Sequence, residues 1–180
     1  LKDSVLKLSA ELLYSVFEEQ DVITRSVILK NEGEDSLTVD RVLSAAFDMD
    51  DQDFELITLN GAWGRERHIQ RRKLGYGRQS AASLRGVSSP QEHPFMALVG
   101  PCTDQKHGDV YAMDFVYSGN FLAEAHKEHL GNVRMAMGIH PEGFSWKLEA
   151  GDMFTAPEVV MTFSSEGIGK MTRNYHDFFR

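Results

Sequence analysis

The sequence predicts a mainly β domain, an antiparallel β-sandwich that ends in one helix. Three observations lead to this fold class. Apolar and polar residues alternate with a period of two along most of the chain, and turn signals interrupt the alternation at short intervals. Only the last segment places its apolar residues at helical spacing. A chain of 180 residues, of which 42% are hydrophobic, is long enough to form one domain with a sizeable core.

The first half of the chain contains four predicted strands. Alternating or β-branched residues mark two strands within 12–33, one over 36–50 and one over 53–61. The fourth strand is predicted to end at Asn60-Gly61, because this pair favours the tight turn of a β-hairpin.

The second half contains further strands of the predicted sandwich. Residues 94–100 and 109–120 are apolar on both faces, as buried strands are. Residues 122–139 predict a hairpin that turns at Gly131-Asn132. The second arm of this hairpin places four apolar residues on one face: Val133, Met135, Met137 and Ile139.

The chain ends in a predicted strand over 156–164 and a predicted helix over 166–180. Ser164 and Ser165 are residues typical of a helix N-terminal cap. The apolar residues at helical spacing are Ile168, Met171, Tyr175 and Phe178. Such a stripe is stable only when it is buried, so the helix either folds back on the sheet or leads into a following domain.

Composition and charge exclude several classes of partner. The net charge is −8 and the isoelectric point is about 5.3, which argues against binding of nucleic acid or another polyanion. No apolar run is long enough to span a bilayer, so no membrane partner is predicted. The only cysteine, Cys102, cannot form an internal disulfide. This favours a reducing compartment, the cytoplasm, and leaves a secreted bacterial protein that does not depend on thiols as the alternative.

No cluster of residues forms a self-sufficient active site. The acidic segment 48–53 lacks the glycine that a calcium loop needs, so an acidic turn is favoured over a metal site. His126 and His129 are three positions apart, which on a strand places them on opposite faces. Cys102 and His107 lack a group that would orient them, so an inert thiol is favoured. We therefore predict no catalytic residue, no metal site and no cofactor in this chain.

The segment 61–78 stands out because it is basic in an acidic chain. Between Gly64 and Gly86, seven Lys or Arg residues accompany a single acid, Glu66. Trp63 lies between small residues, so its indole is predicted to stand on a turn, where an apolar ring face can stack on a pyranose. From the residues alone, a tryptophan that closes the end of the sandwich is favoured over this stacking ring.

The arginines of this segment are predicted to lie on an exposed strand. With regular alternation, one face of that strand carries Arg65, Arg67, Ile69 and Arg71. A strand with charges on both faces is typical of a sheet edge or of an interface. Nucleic-acid binding would require interleaved aromatic residues, and only Trp63 and Tyr76 are near, so nucleic acid is excluded as a partner.

Several long runs of the sequence together resemble the glycoside hydrolase family 36 α-galactosidases. These runs are "GAWGRERHIQRRKLGYGRQSAASLRGVSSPQEHPF", "VYSGNFLAE" and "MGIHPEGFSWKLEAGDMFTAPEVVMTFSSEGIGKMTRNYHDFFR". The resemblance extends in order from about Leu13 to the end of the chain.

The resemblance implies a large enzyme with an N-terminal β-supersandwich, a (β/α)8 catalytic barrel and a C-terminal β-domain. Such enzymes release terminal α-linked galactose from melibiose, raffinose and related oligosaccharides, with retention of configuration through a covalent galactosyl intermediate. The family's nucleophile and acid/base residues lie in barrel motifs that do not occur here, so this chain alone is expected to be inactive. By the same resemblance, residues 1–165 are expected to be a partial sandwich, and 166–180 the helix that leads towards the missing barrel.

The resemblance also implies roles for the basic segment. The family's tryptophan that is similar to Trp63 lies near the galactose pocket, so Trp63 is expected to form a wall of the sugar site. Arg65, Arg67 and Arg71 are expected to contact the barrel or a second subunit. A homo-oligomer is expected, because many members of the family are tetramers.

A stand-alone carbohydrate-binding or structural β-sandwich is the alternative to this accessory domain. The two hypotheses differ in what they expect of the C-terminal helix. The accessory domain is expected to expose apolar surface along Met171, Tyr175 and Phe178, whereas the stand-alone module is expected to fold the helix back on the sheet.

Overall fold

The computed structural model describes residues 1–180 and consists of fifteen β-strands and one α-helix. The strands are β1 Lys2–Asp3, β2 Leu8–Phe17, β3 Val22–Asn31, β4 Leu37–Val39, β5 Leu43–Asp50, β6 Glu55–Ala62, β7 Arg65–Lys73, β8 Gly77–Ser83, β9 Glu92–Val99, β10 Val110–Phe115, β11 Phe121–Lys127, β12 Asn132–Ile139, β13 Trp146–Leu148, β14 Met153–Thr155 and β15 Val159–Ser164. The helix is α1 Gly167–Phe179. The predicted fold class, a mainly β sandwich with a C-terminal helix, is therefore confirmed.

The strands form two main antiparallel sheets. The large sheet has nine strands in the order β1-β2-β3-β15-β10-β9-β6-β7, and β14 also pairs with β3. The small sheet has four strands in the order β5-β12-β11-β8, and β4 pairs with β13 in a separate ribbon. Strand β7 is thus one edge of the large sheet, and the β1–β2 hairpin is the other.

The main core lies between the two sheets. Seventeen buried residues form it, and they come from inward-facing positions of both sheets. The predicted face of β12 is one side of this core: Val133, Met135, Met137 and Ile139 are all buried. The hairpin of β11 and β12 turns at the predicted place, because Lys127 pairs with Val133 across the turn.

Helix α1 packs on the outer face of the large sheet. Met171 and Tyr175 are buried in a second cluster with Phe95 and Val160 of the sheet. The Tyr175 hydroxyl donates a hydrogen bond to the Val160 carbonyl at 3.1 Å. The helix therefore folds back, and the exposed stripe expected for an accessory domain is not found. No helix in the structure combines the length and the apolar character that crossing a membrane requires.

The start of α1 is held differently from the prediction. The residue at the N-cap is Glu166, and its side chain makes no capping hydrogen bond. The first N–H groups of the helix instead donate to carbonyls of the 104–108 loop: Gly167 to Gly108, Ile168 to Asp104 and Gly169 to Gln105. Ser164 contributes from outside the helix, because its Oγ accepts from the Glu166 N–H at 3.0 Å. These contacts satisfy N–H groups that a capping side chain would otherwise serve.

The single strand predicted over 36–50 is wrong, because this segment forms two strands in different sheets. Strand β4 pairs with β13, and β5 pairs with β12 of the small sheet. Residues 40–42 between them carry the chain from one sheet to the other. Of the β-branched residues that indicated one strand, Thr38 and Val39 lie in β4 and Val42 lies in the connection, so β5 contains none of them.

Candidate functional site

Trp63 lies at the tip of the hairpin formed by β6 and β7. Ala62 pairs with Arg65, so the turn consists of Trp63 and Gly64 alone. Gly64 has φ +75°, a left-handed conformation that glycine adopts without steric cost. The Trp63 side chain is 91% exposed and forms no hydrogen bond or aromatic pair within the chain. The alternative that Trp63 closes the end of the sandwich is therefore wrong.

The predicted turn at Asn60-Gly61 is also wrong, because both residues lie within β6. Gly61 has a different structural role within β6. A Cβ on Gly61 would lie 2.3 Å from the Arg65 carbonyl oxygen and 2.9 Å from the Glu66 Cα. The glycine is required by the close approach of the two strands and not by a turn, so the actual turn comes two residues later.

A β-bulge in β7 faces Gly61. The pairing passes from Ala62 with Arg65 to Asn60 with His68, which leaves one extra residue in β7. Arg67 has φ +55°, an uncommon conformation for a residue with a side chain. The bulge breaks the regular alternation, so the prediction that Arg65 and Arg67 share a face with Ile69 and Arg71 does not hold across it.

Residues 90 and 91, just before β9, support this tip. The Gly61 N–H donates to the Gln91 carbonyl at 3.0 Å, and the Arg67 N–H donates to the Pro90 carbonyl at 3.0 Å. The backbone of both strands of the hairpin is therefore anchored immediately before and after the turn.

The three arginines of the predicted interface have different surroundings. All residues of β7 are exposed, as the prediction of an edge strand required. The side chains of Arg65 and Arg67 form no hydrogen bond or ion pair within the chain, so their guanidinium groups are available to a partner. Arg71 is engaged internally: its Nε donates to Glu55 Oε2 at 2.9 Å, and its Nη1 donates to the Thr103 carbonyl at 2.7 Å.

Titratable groups beneath the hairpin have shifted pKa values. Burial raises the pKa of Asp114, on β10, from 3.8 to about 6, although the positive charge of Arg67 opposes this shift. Burial also raises the pKa of Tyr175 and lowers that of His93. Beside Asn60, near the tip of the hairpin, burial raises the pKa of Glu92. These shifts are caused by burial against the sheet face, and the groups do not converge on a cavity that would hold a substrate.

The other side chains that were considered for catalysis or metal binding form ion pairs with neighbours or have no second reactive group beside them. Asp48 forms a two-point ion pair with Arg134, at 2.6 and 2.7 Å. Asp51 forms an ion pair with Lys127, a lysine that is almost fully buried. Cys102 is an exposed free thiol. No group of three or more His, Cys, Asp or Glu side chains is arranged to hold a metal ion.

A large groove lies on the large sheet, away from the β7 edge. It is a groove of about 730 Å³ beside the β2–β3 hairpin, with aromatic walls that include Tyr14, Phe47 and Phe163. Arg25 is one of its lining residues, and the Nε of Arg25 is buried without a hydrogen-bond partner. The strand of the groove nearest to β7 is β10, three strand spacings or about 14 Å away, so this groove and Trp63 are distinct places on the molecule.

The roles of two residues of the tip, Gly61 and Glu66, were not predicted from the sequence. The Glu66 carboxylate accepts a hydrogen bond from the Gly64 N–H at 2.8 Å. The signal in the sequence was that Glu66 is the only acid among seven basic residues. For Gly61, the pairing with Asn60 masked the signal, because it indicated a turn.

Comparisons with known proteins point to one group. Residues 1–149 match the glycosyl hydrolase family 36 N-terminal domain. The chain is 45% identical over 180 residues to alpha-galactosidase AgaA of Geobacillus stearothermophilus. It is 39% identical over 180 residues to alpha-galactosidase 1 of Pediococcus pentosaceus. Both alignments cover 100% of this chain and 25% of the relative.

Solved structures give the same result. A variant of AgaA from Geobacillus stearothermophilus in complex with stachyose superposes with a TM-score of 0.97 at 44% identity, over 99% of this chain and 25% of that chain. The alpha-galactosidase from Lactobacillus brevis superposes with a TM-score of 0.97 at 36% identity, over 99% of this chain and 24% of that chain. The chain thus spans about a quarter of the length of the relatives that it matches.

Proposed function

The chain belongs to glycosyl hydrolase family 36, whose N-terminal domain it matches, and from this membership we propose that it is the non-catalytic β-sandwich of an α-galactosidase. The complete enzyme hydrolyses terminal α-galactosides of the melibiose and raffinose type, with retention of configuration. Relatives named as alpha-galactosidases, one of them in complex with stachyose, support this substrate class. Because the chain covers a quarter of these relatives, the proposal concerns a larger protein and not this domain alone.

The proposed contribution of this domain is a wall of the sugar pocket formed by Trp63. The observation that carries it is the 91% exposure of a tryptophan on an anchored hairpin tip. An exposed indole has no packing function within its own domain, and its flat apolar face suits the C–H groups of a galactose ring. A second domain or subunit would supply the catalytic carboxylates, and the isolated chain is expected to be inactive.

Assembly is the second proposed contribution. The free guanidinium groups of Arg65 and Arg67, next to Trp63 on an edge strand, are suited to carboxylates on the catalytic barrel or on another subunit. Arg71 remains a proposed interface residue, and its contacts with Glu55 and Thr103 leave it fewer free donors. We place the enzyme in the cytoplasm as a homo-oligomer, with no nucleic-acid or membrane partner.

Hydrolysis of p-nitrophenyl α-galactoside tests the proposal with three proteins: this chain, the complete enzyme that carries it, and the complete enzyme with Trp63→Ala. We expect no activity from the chain and full activity from the complete enzyme. Trp63→Ala should lower kcat/KM about 5- to 150-fold, or about 1 to 3 kcal/mol of transition-state stabilisation. An active enzyme that is unaffected by Trp63→Ala would remove Trp63 from the sugar site, and an inactive complete protein would remove the enzyme function.

The second candidate function is a stand-alone carbohydrate-binding β-sandwich. The exposure of Trp63 also fits this candidate, whereas the burial of Met171 and Tyr175 does not separate the two, because an α-galactosidase of which this chain covers 25% superposes over 99% of this chain with a TM-score of 0.97. A single stacking tryptophan gives an affinity no better than about millimolar, or about 4 kcal/mol. A galactose titration of the isolated chain tests this candidate: measurable binding by a monomer supports it and argues against the accessory domain.

A further inference from the structure

We propose that Glu66 is a positioning residue that holds the hairpin tip in the conformation that presents Trp63. The inference rests on the proposed contact between Trp63 and the sugar. Glu66 lies two residues after Gly64, and its Oε1 accepts a hydrogen bond from the Gly64 N–H at 2.8 Å. Glu66 itself is not proposed to touch the substrate.

The position of the Trp63 indole depends on the backbone of the turn. Most exposed aromatic residues are held by a neighbour, but the Trp63 side chain is 91% exposed and forms no aromatic pair. Only the conformation of Trp63 and Gly64 determines where its Cα–Cβ bond points. A contact that restrains the Gly64 peptide therefore also restrains the indole.

Glu66 provides such a contact although other partners are near. It is flanked by Arg65 and Arg67, yet it forms no ion pair with either of them. Its carboxylate accepts instead from a backbone N–H, and a hydrogen bond to a charged acceptor is stronger than one between neutral groups. The Glu66 side chain thus links two backbone positions, Gly64 and Glu66, on one side of the turn.

The β-bulge at Arg67 holds Glu66 in position for its hydrogen bond with the Gly64 N–H. Arg67 has φ +55° and donates its N–H to the Pro90 carbonyl, which fixes the chain just after Glu66. Gly61 permits the close approach, because any larger residue there would collide with the Arg65 carbonyl oxygen. Glu66 is therefore held between an anchored bulge and the turn that it restrains.

A double-mutant cycle in the complete enzyme tests the proposal. We compare wild type, Glu66→Ala, Trp63→Ala and the double variant in p-nitrophenyl α-galactoside hydrolysis. Glu66→Ala should lower kcat/KM about 5- to 20-fold, the effect of losing one charge-assisted hydrogen bond. If Glu66 acts through Trp63, Glu66→Ala should have no further effect in the Trp63→Ala background. Effects that multiply would overturn the proposal, because Glu66 would then act independently of Trp63.

Glu66→Gln is the matched control, because its amide oxygen keeps the acceptor and removes the charge. We expect Gln to restore part of the activity lost in Glu66→Ala, because a neutral acceptor makes a weaker hydrogen bond to the Gly64 N–H than a carboxylate does. Equal losses in Gln and Ala would assign the effect to charge and overturn the proposal. Hydrogen exchange of the peptide that covers residues 61–67 provides a readout without sugar: exchange should be faster in Glu66→Ala and close to wild type in Glu66→Gln. A Trp63→Ala enzyme with unchanged kinetics would refute the sugar contact, whereas unchanged exchange in Glu66→Ala would refute the positioning role itself.

Discussion

Asp114 is the residue at which burial most clearly disfavours the ionised form of a side chain. It lies on the face of the large sheet that α1 covers, and burial raises its pKa to about 6 from 3.8. A carboxylic acid with a raised pKa favours the folded state when it is protonated. Its ionisation therefore lowers the free energy of unfolding progressively between about pH 4 and pH 6, and the full loss is present above pH 6.

We predict that Asp114→Asn stabilises the domain at pH 8 and has little effect at pH 4. The expected gain at pH 8 is about 2 to 3 kcal/mol, the linkage equivalent of a shift from 3.8 to about 6. Urea unfolding at the two pH values measures it. Arg67, whose positive charge favours the ionised form of Asp114, remains in place in the variant.

Asp48→Asn is a control in which the expected change in stability has the opposite sign. Arg134 lowers the pKa of Asp48 through its hydrogen bonds, so Asp48 stabilises the folded state when it is ionised. The Asn variant should therefore lose stability at pH 8 and lose none at low pH, below the lowered pKa. If Asp114→Asn raises the free energy of unfolding by the same amount at pH 4 and pH 8, the gain in stability is caused by packing and not by the loss of an ionisable group.

At the scale of the element, helix α1 is stabilised by tertiary burial. Met171 is 5% exposed and packs with Phe95 and Tyr175 in the cluster on the outer sheet face. We predict that Met171→Ala lowers the free energy of unfolding of the isolated chain by about 2 to 4 kcal/mol, through lost apolar contact and the cavity left behind. Urea unfolding followed by circular dichroism measures the effect.

The matched control is Arg173→Ala, because Arg173 lies on the same helix and is exposed. It should change the free energy of unfolding by less than about 0.5 kcal/mol. If both variants unfold like wild type, the packing of Met171 between α1 and the sheet does not stabilise the isolated chain.

The elements show which parts of the fold local patterns can predict. The period-two face of β12 was found from the sequence, because burial on one side of a sheet imposes alternation on adjacent residues. The division of 36–50 into β4 and β5 was not found, because it depends on partners distant in sequence, β13 and β12. The candidate site followed the same pattern. For Trp63, a ring that closes the end of the sandwich was favoured over an exposed one, but its position on a turn was predicted from its small neighbours. The bulge at Arg67 was not, because it arises from the register of two strands and the contact with Pro90.

At the scale of the molecule, the two edges of the large sheet differ in polarity: one is charged and the other is mostly apolar. Strand β7 carries arginines and lysine at one edge, and such charges discourage pairing with another strand. At the other edge, β1 pairs only with Leu8 and Ser9 of β2. Residues 11–17 of β2 therefore have a free edge, and this segment contains one charge and five exposed apolar side chains: Leu12, Leu13, Tyr14, Val16 and Phe17.

We predict that the isolated chain associates through β2 in a concentration-dependent manner. An exposed, apolar edge strand is a template for pairing with another chain. Val16→Lys should shift the chain to a monomer, because Val16 is 64% exposed and a lysine there places a charge on the pairing edge. Leu130→Lys is the matched control: Leu130 is 75% exposed but lies on the turn between β11 and β12, so this variant should associate like wild type. Sedimentation velocity over a range of concentrations measures all three proteins.

The same experiment separates the two functional hypotheses when galactose is added. An accessory domain has surfaces that other parts of an enzyme cover, so it should associate through β2 and bind galactose too weakly to detect. A stand-alone module presents a complete surface to solvent, so it should sediment as a monomer and bind the sugar. Because Val16 and Trp63 lie at opposite edges of the sheet, Val16→Lys should abolish association without changing any galactose binding. A Val16→Lys variant that alters both would show that the two edges are coupled, and neither hypothesis predicts that result.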